Sequence, residues 1–188
     1  TPGHPERDLA HGIENSSGPL GQGHAYAAGA AVAEKFLEAR LGHTMMQHKI
    51  YAYISDGGVQ EGVSAEVGRL AGALGLNNLI MFYDANDIQL STECGAVMDE
   101  DTAMKYRAWG WNVMNIDGND PDAIREALAA ANREENRPTL IIGDTVMAKG
   151  ARQADGSSYE HSIKTHGAPL GGDAYINTVR NLGGDPDD

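Results

Sequence analysis

Four short runs of β-branched and aromatic residues, at 49–55 (KIYAYIS), 79–83 (LIMFY), 111–116 and 139–146, alternate with stretches of helical periodicity. Nothing else in the chain constrains its fold as strongly. Strands separated by helices of about 10 to 20 residues need crossover connections, and right-handed crossovers lay helices over a parallel sheet. The fold class that follows is α/β, a mostly parallel sheet with helices on both faces. One helix is expected over 61–74, where Val63, Val67, Leu70 and Leu74 fall on a single stripe. Another opens at Asp120-Pro121, a capping residue followed by one suited to the first turn, and carries Ile124, Ala127, Leu128 and Ala131 as its stripe. A third, over 21–41, is rich in Ala and Gly and reads as deeply packed. Residues 151–170 have the Gly, Ser and His character of an active-site loop, followed by a last helix over 173–182 and an acidic, linker-like end. Ligands of such sheets bind beyond the carboxyl ends of the strands, so the chemistry is expected just after Ser55 and Tyr83.

At 188 residues the chain suits one large domain with a core of its own, and it starts at Thr1 within a loop-like sequence, as a piece of something longer would. Against 14 Lys and Arg stand 27 Asp and Glu, a formal charge of -13, which argues against a grip on nucleic acid backbones. No apolar run approaches the roughly 20 residues of a membrane span. The one cysteine, Cys94, excludes an internal disulfide framework and fits a reducing compartment, so the cytoplasm is the expected location.

Three constellations carry possible chemistry. In the first, Ser55-Asp56-Gly57-Gly58 and Glu61-Gly62 follow one strand and Asp84-Ala85-Asn86-Asp87-Ile88 the next. Asp56 supplies a carboxylate, Asn86 an amide oxygen and Ile88 a main-chain carbonyl, the oxygen set that a hard divalent cation shares with phosphate. Gly57 and Gly58 offer amide N–H groups to that phosphate. Either fragment alone is also an ordinary turn; their joint placement favours the site. The second is Gly18-Pro19-Leu20-Gly21-Gln22-Gly23 before the small-residue helix, either a phosphate cradle or a tight turn. The third comprises His4 and His166 in Gly- and Pro-bounded loops, where an imidazole can transfer protons or hold a phosphate oxygen, although a lone loop histidine is more often merely solvated. His11, His24, His43, His48, His161 and Cys94 read as solvated bystanders.

Together these segments resemble the transketolase family. Thr-Pro-Gly-His-Pro-Glu (1–6) and Gly-Ile-Glu-Asn-Ser-Ser-Gly-Pro-Leu-Gly-Gln-Gly (12–23) are similar to the start of its shared block. Asp-Gly-Gly-Val-Gln-Glu-Gly (56–62) and Tyr-Asp-Ala-Asn-Asp-Ile (83–88) resemble its thiamine diphosphate motif, with 28 residues between Gly57 and Asn86, and His-Gly-Ala-Pro-Leu (166–170) resembles a third segment. The resemblance implies a thiamine diphosphate-binding (PP-type) fold over 1–170, incomplete at its start, with 171–188 leading toward an absent pyrimidine-binding domain. It implies ketol transfer from a ketose phosphate to an aldose phosphate, in the pentose phosphate pathway, by a homodimer or split-subunit assembly. Close alternatives are dihydroxyacetone synthase, deoxyxylulose phosphate synthase and a noncatalytic protein of the same fold; His166 in its setting favours transketolase over the second.

By the same resemblance Asp56, Asn86 and the Ile88 carbonyl hold Mg2+ or Ca2+, and Gly57 touches the cofactor diphosphate. Gly18, Leu20 and Ile88 line the thiamine rings, and Pro19 belongs with them to the cofactor-binding residues. His166 contacts the diphosphate and moves protons at the substrate oxygen, His4 hydrogen-bonds the donor sugar, and Glu61 joins a carboxylate network across the dimer interface. The family's glutamate that activates the aminopyrimidine lies on the pyrimidine-binding domain, so this chain alone is expected not to turn over. One departure stands out: Ser55 occupies the place of the usual Gly before the metal aspartate.

Overall fold

The computed structural model describes residues 3–187, so Thr1 and Pro2 of the opening block, and Asp188, lie outside the described residues. In chain order the elements are α1 (Gln22–Leu41), β1 (Ile50–Ser55), α2 (Asp56–Gln60), α3 (Gly62–Ala73), β2 (Leu79–Ala85), α4 (Thr102–Ala108), β3 (Asn112–Asp117), α5 (Pro121–Arg133), β4 (Thr139–Asp144) and α6 (Gly172–Asn181). The strands form one parallel sheet in the order β1-β2-β4-β3. Each expected strand is present. Side chains alternate across the sheet with the period of the pleat. Leu79, Met81 and Tyr83 cluster with Ala27, Ala28 and Ala31 of α1, Val67 and Ala71 of α3, and Tyr106 of α4. Ile80 and Ile141 point the other way, onto Ala127 and Ala131 of α5. Helices therefore cover both faces. Among the described residues no helix is long and apolar enough to cross a membrane.

The stripe on α3 corrects the sequence expectation. Of its four members only Val67 is buried, while Val63, Leu70 and Leu74 are exposed. The helix turns Ser64, Val67, Gly68 and Ala71 inward instead, because two tryptophans occupy the space beside it. A Cβ on Gly68 would stand 2.7 Å from the Trp109 ring, and one on Gly72 would stand 1.8 Å from the Trp109 carbonyl oxygen. The Trp111 indole N–H donates to the Gly68 carbonyl at 2.8 Å. Bulky aromatics select the small face of a helix, whereas periodicity gives most weight to the large apolar residues. Helix α1 shows the same asymmetry: Ala27, Ala28 and Ala31 pack inward, and Val32, Phe36 and Leu41 remain exposed.

Two of the supposed bystanders are not solvated. His24 and Cys94 are buried, His24 in the first turn of α1 and Cys94 behind the loop after β2. His11, His43, His48 and His161 are exposed, as read from the sequence.

Candidate functional site

Parallel register brings the two halves of the first constellation together. Ser55 is the Cα partner of Asp84, so Asp56 leaves β1 beside the point where β2 runs on to Asn86. The Ser55 backbone stays extended and its Oγ accepts from Gly58 N at 3.3 Å, capping α2. A five-residue helix containing two glycines has little intrinsic tendency to form; the cap and the burial of Asp56, Gly58 and Val59 hold it. The serine that departs from the family pattern thus stabilises the turn after the strand.

Asp56 is buried, and both of its oxygens are engaged: Oδ1 accepts from the Tyr83 hydroxyl at 2.7 Å and Oδ2 from Asn86 N at 3.0 Å. Burial pushes the Asp56 carboxyl up, and the hydrogen bonds from Tyr83 and Asn86 oppose that rise. The same surroundings push the Cys94 thiol up to about 12, through burial first and then the neighbouring Asp56 charge. Gln60 Nε2 donates to Gln89 Oε1 at 2.9 Å and joins α2 to the loop after β2. Asn86 Oδ1 accepts from Ile88 N at 3.0 Å, leaving a second lone pair on that oxygen.

These groups open onto a cavity of about 460 Å³ whose lining includes Leu20, Asp56, Gly57, Asn86, Ile88 and His166. Gly57 matters for lack of a side chain, since a Cβ there would stand 3.2 Å from Leu20 Cδ1 and narrow the space between them. His166 follows a single 3-10 turn, Ile163–Thr165, capped by Ser162, and its Nδ1 is buried with no hydrogen-bond partner. A buried imidazole nitrogen left unpaired at a cavity wall calls for a polar ligand atom. Among the described residues no group of three or more His, Cys, Asp or Glu is arranged to hold a metal ion. A cation here would rest on one carboxylate, neutral oxygens and a ligand that brings its own charge, which suits a hard divalent ion bound with phosphate. The donor set and the orphaned nitrogen fit a metal-bound diphosphate.

The other expected site residues lie nearby without lining the cavity. His4 is exposed and lies against Gly18, where a Cβ would stand 2.7 Å from the imidazole Cγ. Pro19 leads into α1, and Gln22 N donates to its carbonyl at 3.1 Å. Glu61 is exposed at the junction of α2 and α3. In the sequence Tyr83 and Asp84 stand only as parts of a motif, with no role of their own, and Cys94 reads as a bystander, although a tyrosine on the inward side of a strand must find a partner for its hydroxyl. A larger hollow of about 830 Å³ beyond β3 and β4 is lined by Asp117, Asp144, Lys149 and His161, all exposed.

The whole chain, residues 1–188, matches the family profile described as "Transketolase, thiamine diphosphate binding domain". It is 42% identical to Transketolase 2 of Xanthobacter flavus over 189 residues, which is 98% of this chain and 27% of the relative. To Transketolase 1 of Vibrio cholerae it is 45% identical over 177 residues, covering 92% of this chain and 26% of that protein. Among solved structures it superposes on transketolase from Leishmania mexicana with a TM-score of 0.91 and 37% identity, covering 100% of this chain and 28% of the other. For transketolase from Campylobacter jejuni the TM-score is 0.87 at 38% identity, with 95% and 28% covered. The chain spans about a quarter of the length of these relatives.

Proposed function

The chain belongs to the transketolase family, as its thiamine diphosphate binding domain, and from that premise we propose that it forms the diphosphate-binding part of a ketol-transferring enzyme. The observation that carries this reading is the meeting of Asp56, Asn86 and the unpaired His166 Nδ1 around one cavity. Thiamine diphosphate, when bound, supplies the carbon nucleophile that breaks and remakes the bond next to a sugar carbonyl. Asp56, the Asn86 amide oxygen and the Ile88 carbonyl hold Mg2+ or Ca2+ against the diphosphate. The Gly57 amide contacts the diphosphate directly, and Gly18, Pro19, Leu20 and Ile88 shape the space for the rings. His166 holds a proton at the oxygen of a sugar phosphate substrate as its charge changes, and His4 orients the donor sugar. Residues 1–170 make up the binding domain, and 171–188 lead toward a pyrimidine-binding domain or subunit.

A homodimer or split-subunit assembly is supported by the apolar surface on α1 and α3, where Phe36, Val63, Leu70 and Leu74 stand exposed. Glu61, at the foot of α3, faces solvent where it could join carboxylates across such an interface. A cytoplasmic place in the pentose phosphate pathway follows from the proposed activity.

Calorimetric titration of thiamine diphosphate into the complete protein, with and without a chelator, tests the cation. Cofactor affinity is expected to collapse when the cation is removed; equal affinity in both conditions would refute the ligand set. Asp56→Ala should weaken binding more than Asn86→Ala, because it removes the one formal charge among the protein ligands.

A further inference from the structure

Asn86 can serve a cation in only one of its two amide orientations. With Oδ1 forward it supplies a lone pair, and with the NH2 forward it repels the ion. The two orientations have almost the same shape, so packing does not choose between them and hydrogen bonds must. Ile88 N donates to Asn86 Oδ1 at 3.0 Å, and Asn86 Nδ2 donates to Asp84 Oδ2 at 3.4 Å. An ionised carboxylate only accepts, so Asp84 can pair with the NH2 end and never with the oxygen end.

Asp84 is itself held on both sides. It is the register partner of Ser55 on β1 and of Gly143 on β4, which places it at the shared carboxyl end of three strands. Its Oδ1 accepts from the Thr145 hydroxyl. Thr145 is fixed in turn, because its backbone N–H donates to the Ala85 carbonyl at 3.0 Å. Asp84 also borders the cavity that Asn86 faces.

We propose that Asp84 is a positioning residue which, steadied by Thr145, locks the Asn86 amide with its oxygen toward the cation. Its action runs through Asn86, so it rests on the reading of Asn86 as a cation ligand. Asp84 itself need not touch the ion.

The experiment is a calorimetric titration of thiamine diphosphate into the complete protein at a series of Mg2+ concentrations, which reports binding and not turnover. Asp84→Asn can offer an NH2 where the carboxylate only accepts, and it should raise the Mg2+ concentration for half-saturation by about tenfold to a hundredfold. The deciding arm is the Asn86→Asp background, where both side-chain ends are oxygen and orientation no longer matters. There, adding Asp84→Asn should not raise half-saturation and is expected to lower it, because it also removes the repulsion between two neighbouring carboxylates. An equal cost in both backgrounds would mark Asp84 as a mere tie between β2 and β4 and overturn the proposal. If Asp84→Asn fails to fold, Thr145→Val takes its place, since it loosens Asp84 without altering Asn86; unchanged half-saturation would then overturn it. Asn86→Ala separates the two levels: no effect refutes Asn86 as a ligand, whereas a large effect beside an inert Asp84→Asn refutes only the role of Asp84.

Discussion

The Tyr83 hydroxyl donates a 2.7 Å hydrogen bond to Asp56 Oδ1, and both residues are buried. Tyr83 is a core residue of β2, facing the same side as Leu79 and Met81, yet its hydroxyl reaches the carboxylate that begins α2. The core of the domain thus aims the carboxylate proposed to hold the cation. With Asn86 N on the other oxygen, the carboxylate is fixed before any ligand arrives.

Tyr83→Phe keeps the ring and removes the donor. A hydrogen bond to a charged group is worth about 1.5–3 kcal/mol, so a stability loss of that order is expected in urea denaturation. The Mg2+ concentration that half-saturates cofactor binding should rise by about tenfold, as for other groups that orient a ligand. A variant with parental stability and metal response would show that the hydroxyl contributes nothing to the site.

His24 sets a pH dependence of a different kind. Burial pushes its imidazole down to about 4 from an ordinary 6.5, and its Nδ1 has no partner. Between those two values the unfolded chain binds the proton and the folded chain does not, so stability rises with pH across the window. The contribution is complete above 6.5 and is lost as pH falls toward 4, about 3 kcal/mol in all. His24→Leu should flatten this slope. Urea midpoints of parent and variant measured at several pH values in that window decide it; parallel curves would mean that His24 is not the group responsible.

The frame of the domain was legible because strand runs and helical stripes have distinct periods, and the meeting of Asp56, Gly57 and Asn86 at one cavity was legible because adjacent parallel strands bring their carboxyl ends together, whereas His166 was singled out by the family resemblance. What escaped was tertiary in origin. The inward face of α3 depends on Trp109 and Trp111, some forty residues away in sequence, and no local pattern reports that they fill the space beside Gly68 and Gly72. Helix α2 is held by the Ser55 cap and by burial, against the poor propensity of its glycines. Tyr83 and Asp84, which hydrogen-bond to Asp56 and Asn86, lie in a strand whose apolar neighbours dominate the pattern. His24 looked solvated because a lone histidine carries no signal of burial.

Gly72→Ala tests the packing of α3 on the tryptophans. A Cβ 1.8 Å from the Trp109 carbonyl oxygen forces backbone to move, and a loss of about 3 kcal/mol is expected, at the upper end for overpacking. Gly29, inside α1, has nothing within 4 Å of its would-be Cβ, and Gly29→Ala should gain about 0.5–1 kcal/mol from helix propensity. Thermal unfolding of both variants checks the contrast, and equal midpoints would mean that α3 does not pack as closely as described.

His166 and His161 share the loop after β4 but not its chemistry. His166 Nδ1 is buried at the wall of the cavity that also holds Asp56 and Asn86, while His161 is exposed beside the larger hollow lined by Asp117 and Asp144. If His166 moves a proton at the substrate oxygen, His166→Ala in the complete enzyme should lower kcat by about a hundredfold or more, in the range of general acid–base groups. Cofactor affinity should fall much less, because the proposed cation ligands and the Gly57 amide are untouched. His161→Ala should change neither quantity, as for most exposed substitutions. Ketol-transfer rates at saturating cofactor, with cofactor affinity measured separately, distinguish the outcomes. Equal loss in both variants would point to a general disturbance of the loop. A large drop in affinity with kcat preserved would make His166 a diphosphate anchor alone, and the proton would have to be carried by another group.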